Sequence, residues 1–204
     1  REATLSHTGA MAGNAAVHAA VFRQLAVAAC RDPAEVMDMA RLWATGARVD
    51  APGVCIVSLS GAGCAFLSDL FADAGVTVPT LDPASQAALR AIIPSYGMVS
   101  NPVDLTGNVI NDMSQLGAVL DVLAAADGVD CIVIYIMGSL LDAAAPTLLD
   151  VRQRTNKLIV ALDPSQAQCA GDLRRAGMEV FTDALRATAS IATFLKWRAA
   201  CAAP

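Results

Sequence analysis

Apolar and polar positions follow a repeating pattern along most of the chain. From residue 54 onward, short runs that are apolar throughout alternate with stretches in which apolar residues recur at helical spacing. The apolar runs predict buried strands at 54–59, 76–78, 131–137, 158–162 and 180–181. The stretches between them predict helices near 63–74, 83–93, 112–126, 140–155, 166–176 and 183–199. Apolar strands that alternate with helices are typical of a parallel sheet covered on both faces.

This alternation predicts an α/β fold. Connections between parallel strands are right-handed, which leaves few arrangements to consider. We expect a flavodoxin-like, doubly wound parallel sheet with strand order 2-1-3-4-5, preceded by a two-helix segment. In folds of this kind, ligands bind outside the carboxyl ends of the strands.

Residues 1–46 show helical patterns only. Asn14 is placed to cap a helix that runs to about Cys30. Asp32 and Pro33, with Glu35 three residues after the cap, predict a second helix that ends near Gly46. Two helices without a strand cannot close a core, so we expect them to pack poorly on their own domain and to contact a neighbouring chain or a further domain. The expected contacts are Val17, Val21, Leu25, Val36, Met39 and Trp43.

The pattern divides the chain into three parts. Residues 1–47 are the helical segment, 48–53 form a linker that contains Pro52 and Gly53, and 54–204 are the α/β domain. Hydrophobic residues make up 55% of the chain and charged residues only 16%. Together with a start at Arg1, this balance leads us to expect a fragment of a longer protein, with surfaces that face further domains.

Charge and cysteine usage exclude several classes of protein. The formal net charge is -5 and the basic residues are scattered, so we expect no nucleic-acid partner. The apolar runs are shorter than the roughly 18–20 residues that span a bilayer, so we expect no membrane association and a cytoplasmic location. The six cysteines contain no CxxC pair, which favours free thiols over disulfides or a metal site.

One turn has the features of an anion site. Ser60, Gly61, Ala62 and Gly63 follow the first predicted strand and open the first helix of the domain. Glycines allow the backbone to approach a ligand closely, and a helix start offers free N–H groups and partial positive charge. An ordinary strand-to-helix turn without a ligand explains the same residues.

His7 is the one candidate nucleophile. It lies among small and hydroxyl residues in a loop at 6–13, just before a predicted helix. Neutral imidazole is a competent nucleophile, and a flexible loop would let it move. A solvated loop residue is the alternative. His18, the other histidine, lies within a helix and is interpreted as a surface or packing residue.

Two motifs resemble those of one enzyme family. The loop Ser6-His7-Thr8-Gly9-Ala10 with Ala12-Gly13 resembles the phosphohistidine loop of the NDP-forming acyl-CoA synthetases, such as ADP-forming acetyl-CoA synthetase, in the succinyl-CoA synthetase superfamily. The run Asn101-Pro102-Val103-Asp104-Leu105-Thr106-Gly107 resembles a second signature of that family at all seven positions. Ala62 stands where relatives commonly have a second consecutive glycine, which puts the closest approach of a ligand in doubt.

The resemblance implies a function for these residues. Acyl-CoA, ADP and phosphate would be interconverted with acid, CoA and ATP, with His7 as the residue that is phosphorylated. Ser60, Gly61, Ala62 and Gly63 would bind the phosphate. Asn101, Asp104 and Thr106 belong to the second motif in uncertain roles. For Asp104 a structural role is favoured over contact with a partner domain.

The resemblance also implies ligands and partners. Residues 1–47 would be the C-terminal helical part of the histidine-bearing domain, and 54–204 the succinyl-CoA-ligase-like flavodoxin domain. CoA, ATP or ADP, and Mg are expected for the full-length enzyme, none of them bound within the fragment, which alone would be inactive. The CoA-binding and ATP-grasp parts would be further domains or subunits, and a homo-oligomer is expected. Two alternatives remain open: a synthetase-like regulatory region of a protein lysine acetyltransferase, and a non-catalytic docking module.

Overall fold

A computed structural model of the chain describes residues 14–50 and 52–202. The loop that contains His7 lies outside these residues. The helices are α1 (Ala15–Gln24), α2 (Pro33–Ala44), α3 (Gly61–Asp73), α4 (Pro83–Arg90), α5 (Ser114–Ala125), α6 (Ser139–Arg154), α7 (Ala170–Arg175) and α8 (Ala184–Ala202), with a 3-10 turn at Gly107–Asn111. The strands are β1 (Val54–Ser58), β2 (Val103–Asp104), β3 (Cys131–Tyr135), β4 (Leu158–Leu162) and β5 (Glu179–Phe181).

The strands form one parallel sheet in the order β2-β1-β3-β4-β5. Every neighbouring pair is parallel, and the central pair runs in register from Val54 opposite Cys131 to Ser58 opposite Tyr135. The predicted fold class and strand order are therefore confirmed. All five residues of β1 and of β4 are buried, as expected for strands covered on both faces.

Alternate residues of the strands belong to two separate hydrophobic cores, one on each face of the sheet. Cys55, Ile132 and Ile159 belong to the larger core, which α4, α5, α6 and α7 cover. Val54 and Cys131 point to the opposite face, where α2, α3 and α8 cover the sheet. This alternation is the period-2 geometry of a strand, and most of the strand residues are apolar because both faces of the sheet are covered.

The second strand lies in a different segment from the one predicted. Residues 76–78 are not a strand, and the carbonyl of Thr77 accepts a single backbone hydrogen bond, from the N–H of Val54 at 3.0 Å. The apolar pattern there reflects the packing of Val76, which is buried in the core on the α3 side. The pairing partner of β1 at this edge is instead β2, at Val103–Asp104. A two-residue strand is too short to produce a recognisable periodicity.

The helices before the domain do not behave alike. α1 begins after Asn14, whose side chain accepts a hydrogen bond from Ala16 N, but it ends at Gln24 rather than near Cys30. It has no buried residue, which agrees with the expectation of weak packing. Its apolar residues Val17, Val21 and Phe22 are exposed.

The second helix contradicts the expectation of poor packing. α2 packs against α8, and Met39, predicted as a contact to another domain, is buried in the core on that side. Asp38 is fully buried and forms a two-bond ion pair with Arg186, at 2.6 and 2.7 Å. The pair supplies the charged partner that a buried carboxylate requires, while Met39 and Leu42 bury apolar surface on the same side. Val36 and Trp43 remain exposed.

Within the described ranges, no helix combines the length and the hydropathy needed to cross a membrane.

Candidate anion site at the carboxyl edge of the sheet

The predicted anion turn lies where the sheet reverses its winding. β1 ends at Ser58 and is followed by α3, which covers one face. The neighbouring β3 ends at Tyr135 and is followed by α6, which covers the opposite face. The two helices therefore start on either side of a crevice at the carboxyl ends of β1 and β3. This is the position in which doubly wound folds bind ligands.

The start of α3 has open backbone donors. Ser60 is extended at φ -142° and ψ 125° and makes no capping hydrogen bond with its side chain. Among the described residues, Cys64 is the first in the helix whose N–H is paired, with Ser60 O at 3.0 Å. The N–H groups of Gly61, Ala62 and Gly63 precede it without an acceptor in the described part of the chain. Free N–H groups and the helix dipole together attract an anion.

The two glycines of the turn serve different purposes. A Cβ atom on Gly63 would lie 2.9 Å from both Ser58 Oγ and a ring carbon of Tyr135, so this position has no room for a side chain. A Cβ on Gly61 would meet only Asp104 Oδ2, at 3.1 Å. Ala62, the departure from the family pattern, is exposed. Its methyl group leaves its N–H in place at the helix start.

Cys64 follows the turn but has no nucleophilic character. It is fully buried, with its Sγ 3.6 Å from Val103 O. Burial raises the pKa of this thiol to about 12, and the nearby carboxylate of Asp104 adds to the rise. The six cysteines are all free thiols. Across residues 14–50 and 52–202, no group of three or more His, Cys, Asp or Glu side chains is arranged to hold a metal ion.

Asn101 has a structural role that the sequence left open. Its Oδ1 accepts a hydrogen bond from Ile56 N at 3.1 Å, and its Nδ2 donates to Val54 O at 2.8 Å and to Pro79 O at 2.8 Å. The residue is buried. Its side chain thus ties the start of β1 to the segment that leads into β2.

Thr106 and Asp104 shape the loop after β2. Leu105 N donates to Ser58 O at 2.9 Å, which holds this loop beside the end of β1. Asp104 Oδ1 accepts a hydrogen bond from Thr106 N at 2.9 Å. This contact supports the structural role that was favoured for Asp104. Thr106 adopts a left-handed conformation at φ 61°, and its Oγ1 accepts from Asn108 N at 3.4 Å.

Sequence reasoning missed Asp163, which organises the same edge of the sheet. It directly follows β4 and is fully buried. Its carboxylate accepts hydrogen bonds from Gly138 N at 2.8 Å, from Ser165 N at 3.0 Å and from Ala167 N. It therefore joins the loop after β3 to the loop after β4. A carboxylate immediately after an apolar strand was the available signal.

Comparison with protein families finds a match at this edge of the sheet. Residues 54–123 match the model of the Ligase-CoA domain. The chain is similar to a Ligase-CoA domain over these residues. The matched residues run from β1 into α5, so the anion turn and the Asn101–Gly107 motif both lie inside it.

Individual relatives agree with this assignment. The chain is 28% identical to the alpha subunit of ADP-forming acetate–CoA ligase I from Pyrococcus furiosus, over 96% of this chain and 44% of that protein. It is 23% identical to the ADP-forming acetate–CoA ligase of Methanocaldococcus jannaschii, over 53% of this chain and 15% of that protein. The resemblance to NDP-forming acyl-CoA synthetases is confirmed. The chain spans less than half the length of these relatives.

Solved structures share the fold. The dinucleotide-forming acetyl-coenzyme A synthetase 1 of Ca. Korarchaeum cryptofilum, solved in complex with phosphate and ADP, superimposes with a TM-score of 0.83. The match covers 98% of this chain and 44% of that chain, at 17% identity. A protein from Pyrococcus horikoshii matches with a TM-score of 0.75, over 91% of this chain and 44% of that one, at 17% identity. The helices and strands of this chain thus have an architecture that is known from solved structures.

Proposed function

We propose that the chain is part of an NDP-forming acyl-CoA synthetase, which interconverts acyl-CoA, ADP and phosphate with acid, CoA and ATP through a phosphohistidine. The observation that carries this proposal is the match to an ADP-forming acetate–CoA ligase alpha subunit along 96% of the chain. The Ligase-CoA domain at residues 54–123 supports it. These similarities favour a synthetase over the regulatory region of an acetyltransferase or a docking module.

His7 is the proposed nucleophile. Phosphate attacks the carbonyl of acyl-CoA and the CoA thiolate leaves, which gives an acyl phosphate. An imidazole nitrogen then attacks its phosphorus, the bond from phosphorus to the acyl oxygen breaks, and the carboxylic acid leaves as its anion. ADP then takes the phosphoryl group from the histidine to give ATP. A covalent carrier divides one difficult transfer into two easier ones and allows them to take place at separate sites.

The start of α3 is the proposed binding site for the phosphoryl group. The N–H groups of Gly61, Ala62 and Gly63 are directed out of the helix start, and Gly61 and Ala62 are exposed. Such preorganised donors stabilise negative charge without any chemical participation of their own. The turn therefore serves as a docking position for a phosphoryl group that arrives on His7.

CoA, ADP and Mg are proposed as ligands of the full-length protein. The CoA-binding and ATP-grasp parts of the enzyme would lie in further domains or subunits, since the chain matches only 44% of the length of the Pyrococcus alpha subunit. A homo-oligomer remains part of this proposal.

Phosphorylation of the full-length protein by ATP labelled on its γ-phosphate tests the nucleophile. We expect an adduct that is labile in acid and stable in base, and both labelling and turnover should be lost in His7→Ala and His7→Gln. His18→Ala is the matched control, because His18 is exposed on α1 and should leave both unchanged. Full labelling of His7→Ala would remove the nucleophile assignment.

A second variant tests the docking position separately. Gly61→Val keeps His7 but places a branched side chain at the start of α3, where it obstructs the N–H groups. The phosphorylated state should lose about 2–4 kcal/mol of stabilisation, as when a preorganised donor is removed. Gly107→Val is the control, since a Cβ on Gly107 meets no atom within 4 Å. Unchanged labelling in Gly61→Val would exclude the turn and leave His7 in place.

A further inference from the structure

We propose that Asp104 weakens anion binding at the start of α3, so that a phosphoryl group docked there is released again. The inference rests on the proposed function, because it assigns a role to a residue beside the proposed docking position. Nothing in the reaction requires this role, and it follows from where the side chain of Asp104 lies.

Backbone pairing fixes Asp104 beside the turn. It is the last residue of β2 and lies in register with Ser58, the last residue of β1. The hydrogen bond from Leu105 N to Ser58 O, at 2.9 Å, extends this pairing past the end of the strand. The chain thus has little freedom to move Asp104 away from the residues that follow β1.

The two oxygens of this carboxylate have different surroundings. Oδ1 accepts a hydrogen bond from Thr106 N at 2.9 Å. Oδ2 accepts none from the described residues, and it lies 3.1 Å from the position of a Cβ on Gly61. The free oxygen is therefore next to the first residue of α3, whose N–H groups form the proposed docking position.

A carboxylate in this place has two electrostatic effects. When no anion is bound, the carboxylate is stabilised by the positive end of the helix. When a phosphate approaches the same N–H groups, the two negative charges come within a few ångströms of each other and repel. For charges about 5 Å apart in a partly exposed setting, this repulsion weakens binding by about tenfold or more.

Weak binding suits a carrier that must leave. A phosphoryl group on a loop of the same protein reaches its docking position at a high effective concentration, so low intrinsic affinity still allows occupancy. A tightly held group would instead remain at the helix start and could not travel to the next site. Asp104 therefore adjusts how long the group stays.

Titration of the chain with inorganic phosphate, followed by amide NMR at constant ionic strength, tests this role. Asp104→Asn removes the charge and keeps an oxygen that can accept from Thr106 N. The amides of Gly61, Ala62 and Gly63 should shift on titration, with a dissociation constant about tenfold lower or more in Asp104→Asn than in the unchanged chain. Asp69→Asn is the matched control: it removes one charge from an exposed position further along α3 and should change the constant less than twofold.

Two outcomes would overturn the inference. One is a phosphate affinity in Asp104→Asn that is equal to or weaker than that of the unchanged chain. The other is an increase of the same size in Asp69→Asn, which would show a general effect of net charge. The phosphate titration uses neither His7 nor ATP. The inference about Asp104 can therefore fail while the labelling of His7 succeeds, and it can hold while the labelling fails.

Discussion

The side-chain Oδ1 of Asn101 accepts a hydrogen bond from the backbone N–H of Ile56, at 3.1 Å. Its Nδ2 donates to Val54 O, at 2.8 Å. A residue on a parallel strand makes this same pair of bonds, to the carbonyl of one residue and the N–H of the second residue after it. Since Val103 is in register with Val57, position 101 is opposite Cys55. The amide side chain thus continues the pairing of β2 where its backbone has turned away.

Removal of this amide should destabilise the domain substantially. Asn101→Ala leaves Ile56 N and Val54 O without a partner in a buried region, and each unsatisfied group costs about 1–3 kcal/mol. We expect the free energy of unfolding to fall by about 2–5 kcal/mol in urea titrations. Asn108→Ala, at an exposed position of the loop that follows, should change it by less than about 0.5 kcal/mol. Equal stability of Asn101→Ala and the unchanged chain would show that water replaces the amide.

Gly63→Ala should also destabilise the domain, although alanine favours helices. The added methyl group would lie 2.9 Å from Ser58 Oγ and from the ring of Tyr135, so one of them must move. Overpacking of this kind costs about 1–3 kcal/mol, which exceeds the gain in helix propensity. Thermal unfolding should show a lower midpoint for Gly63→Ala and no decrease for Gly107→Ala, where the space is open.

The ion pair between Asp38 and Arg186 should hold α2 on the domain. Arg186→Ala leaves the buried carboxylate with Ser190 Oγ at 3.0 Å and a distant contact to Arg41 at 3.8 Å. Because the Arg186 side chain is 47% exposed, we expect a loss of about 1–3 kcal/mol rather than the full cost of a broken buried pair. Hydrogen exchange should become faster in residues 33–44.

One control variant and one double variant test whether the effect comes from the pair of Asp38 and Arg186. Arg154→Ala breaks exposed ion pairs and should change stability by less than about 1 kcal/mol. The double variant of Asp38→Ala and Arg186→Ala should be at least as stable as Arg186→Ala alone, since no buried charge is then left unpaired. A double variant that loses the sum of both single effects would contradict the pairing.

Glu35 should make the docking of α2 sensitive to acid. Burial raises the pKa of this carboxyl, but hydrogen bonds from Arg31 and from Thr193 Oγ1 outweigh it and bring the pKa below its ordinary value. A lowered pKa stabilises the folded state above the ordinary value and ceases to do so as the pH falls through the folded value. In urea unfolding between pH 7 and 3, stability should decrease below about pH 4.3, and Glu35→Gln should show a shallower decrease. If the free energy of unfolding falls equally with pH in Glu35→Gln and in the unchanged chain, Glu35 does not contribute to the acid sensitivity.

Long, periodic elements could be predicted from the sequence, and short ones could not. Four of the five strand positions and the strand order follow from apolar runs between helices. β2 has two residues and no pattern, and its position depends on the side chain of Asn101, which no periodicity reveals. Asp163 was missed for a similar reason, since one of its three backbone hydrogen bonds comes from Gly138, in a loop distant in sequence, and no periodicity marks the other two, from Ser165 and Ala167. The strand-to-helix turn at residues 60–63 could be predicted because its signal is local, and its role as an anion site stays a prediction.

The lengths of the outer strands have a consequence for how the domain behaves among its own copies. β2 has two residues and β5 has three, and these are the two edges of the sheet. An edge strand offers unpaired N–H and C=O groups to another chain, and a long flat edge can start aggregation. Here each edge presents only a few such groups, so the mostly apolar central strands cannot pair with another chain while the domain is folded.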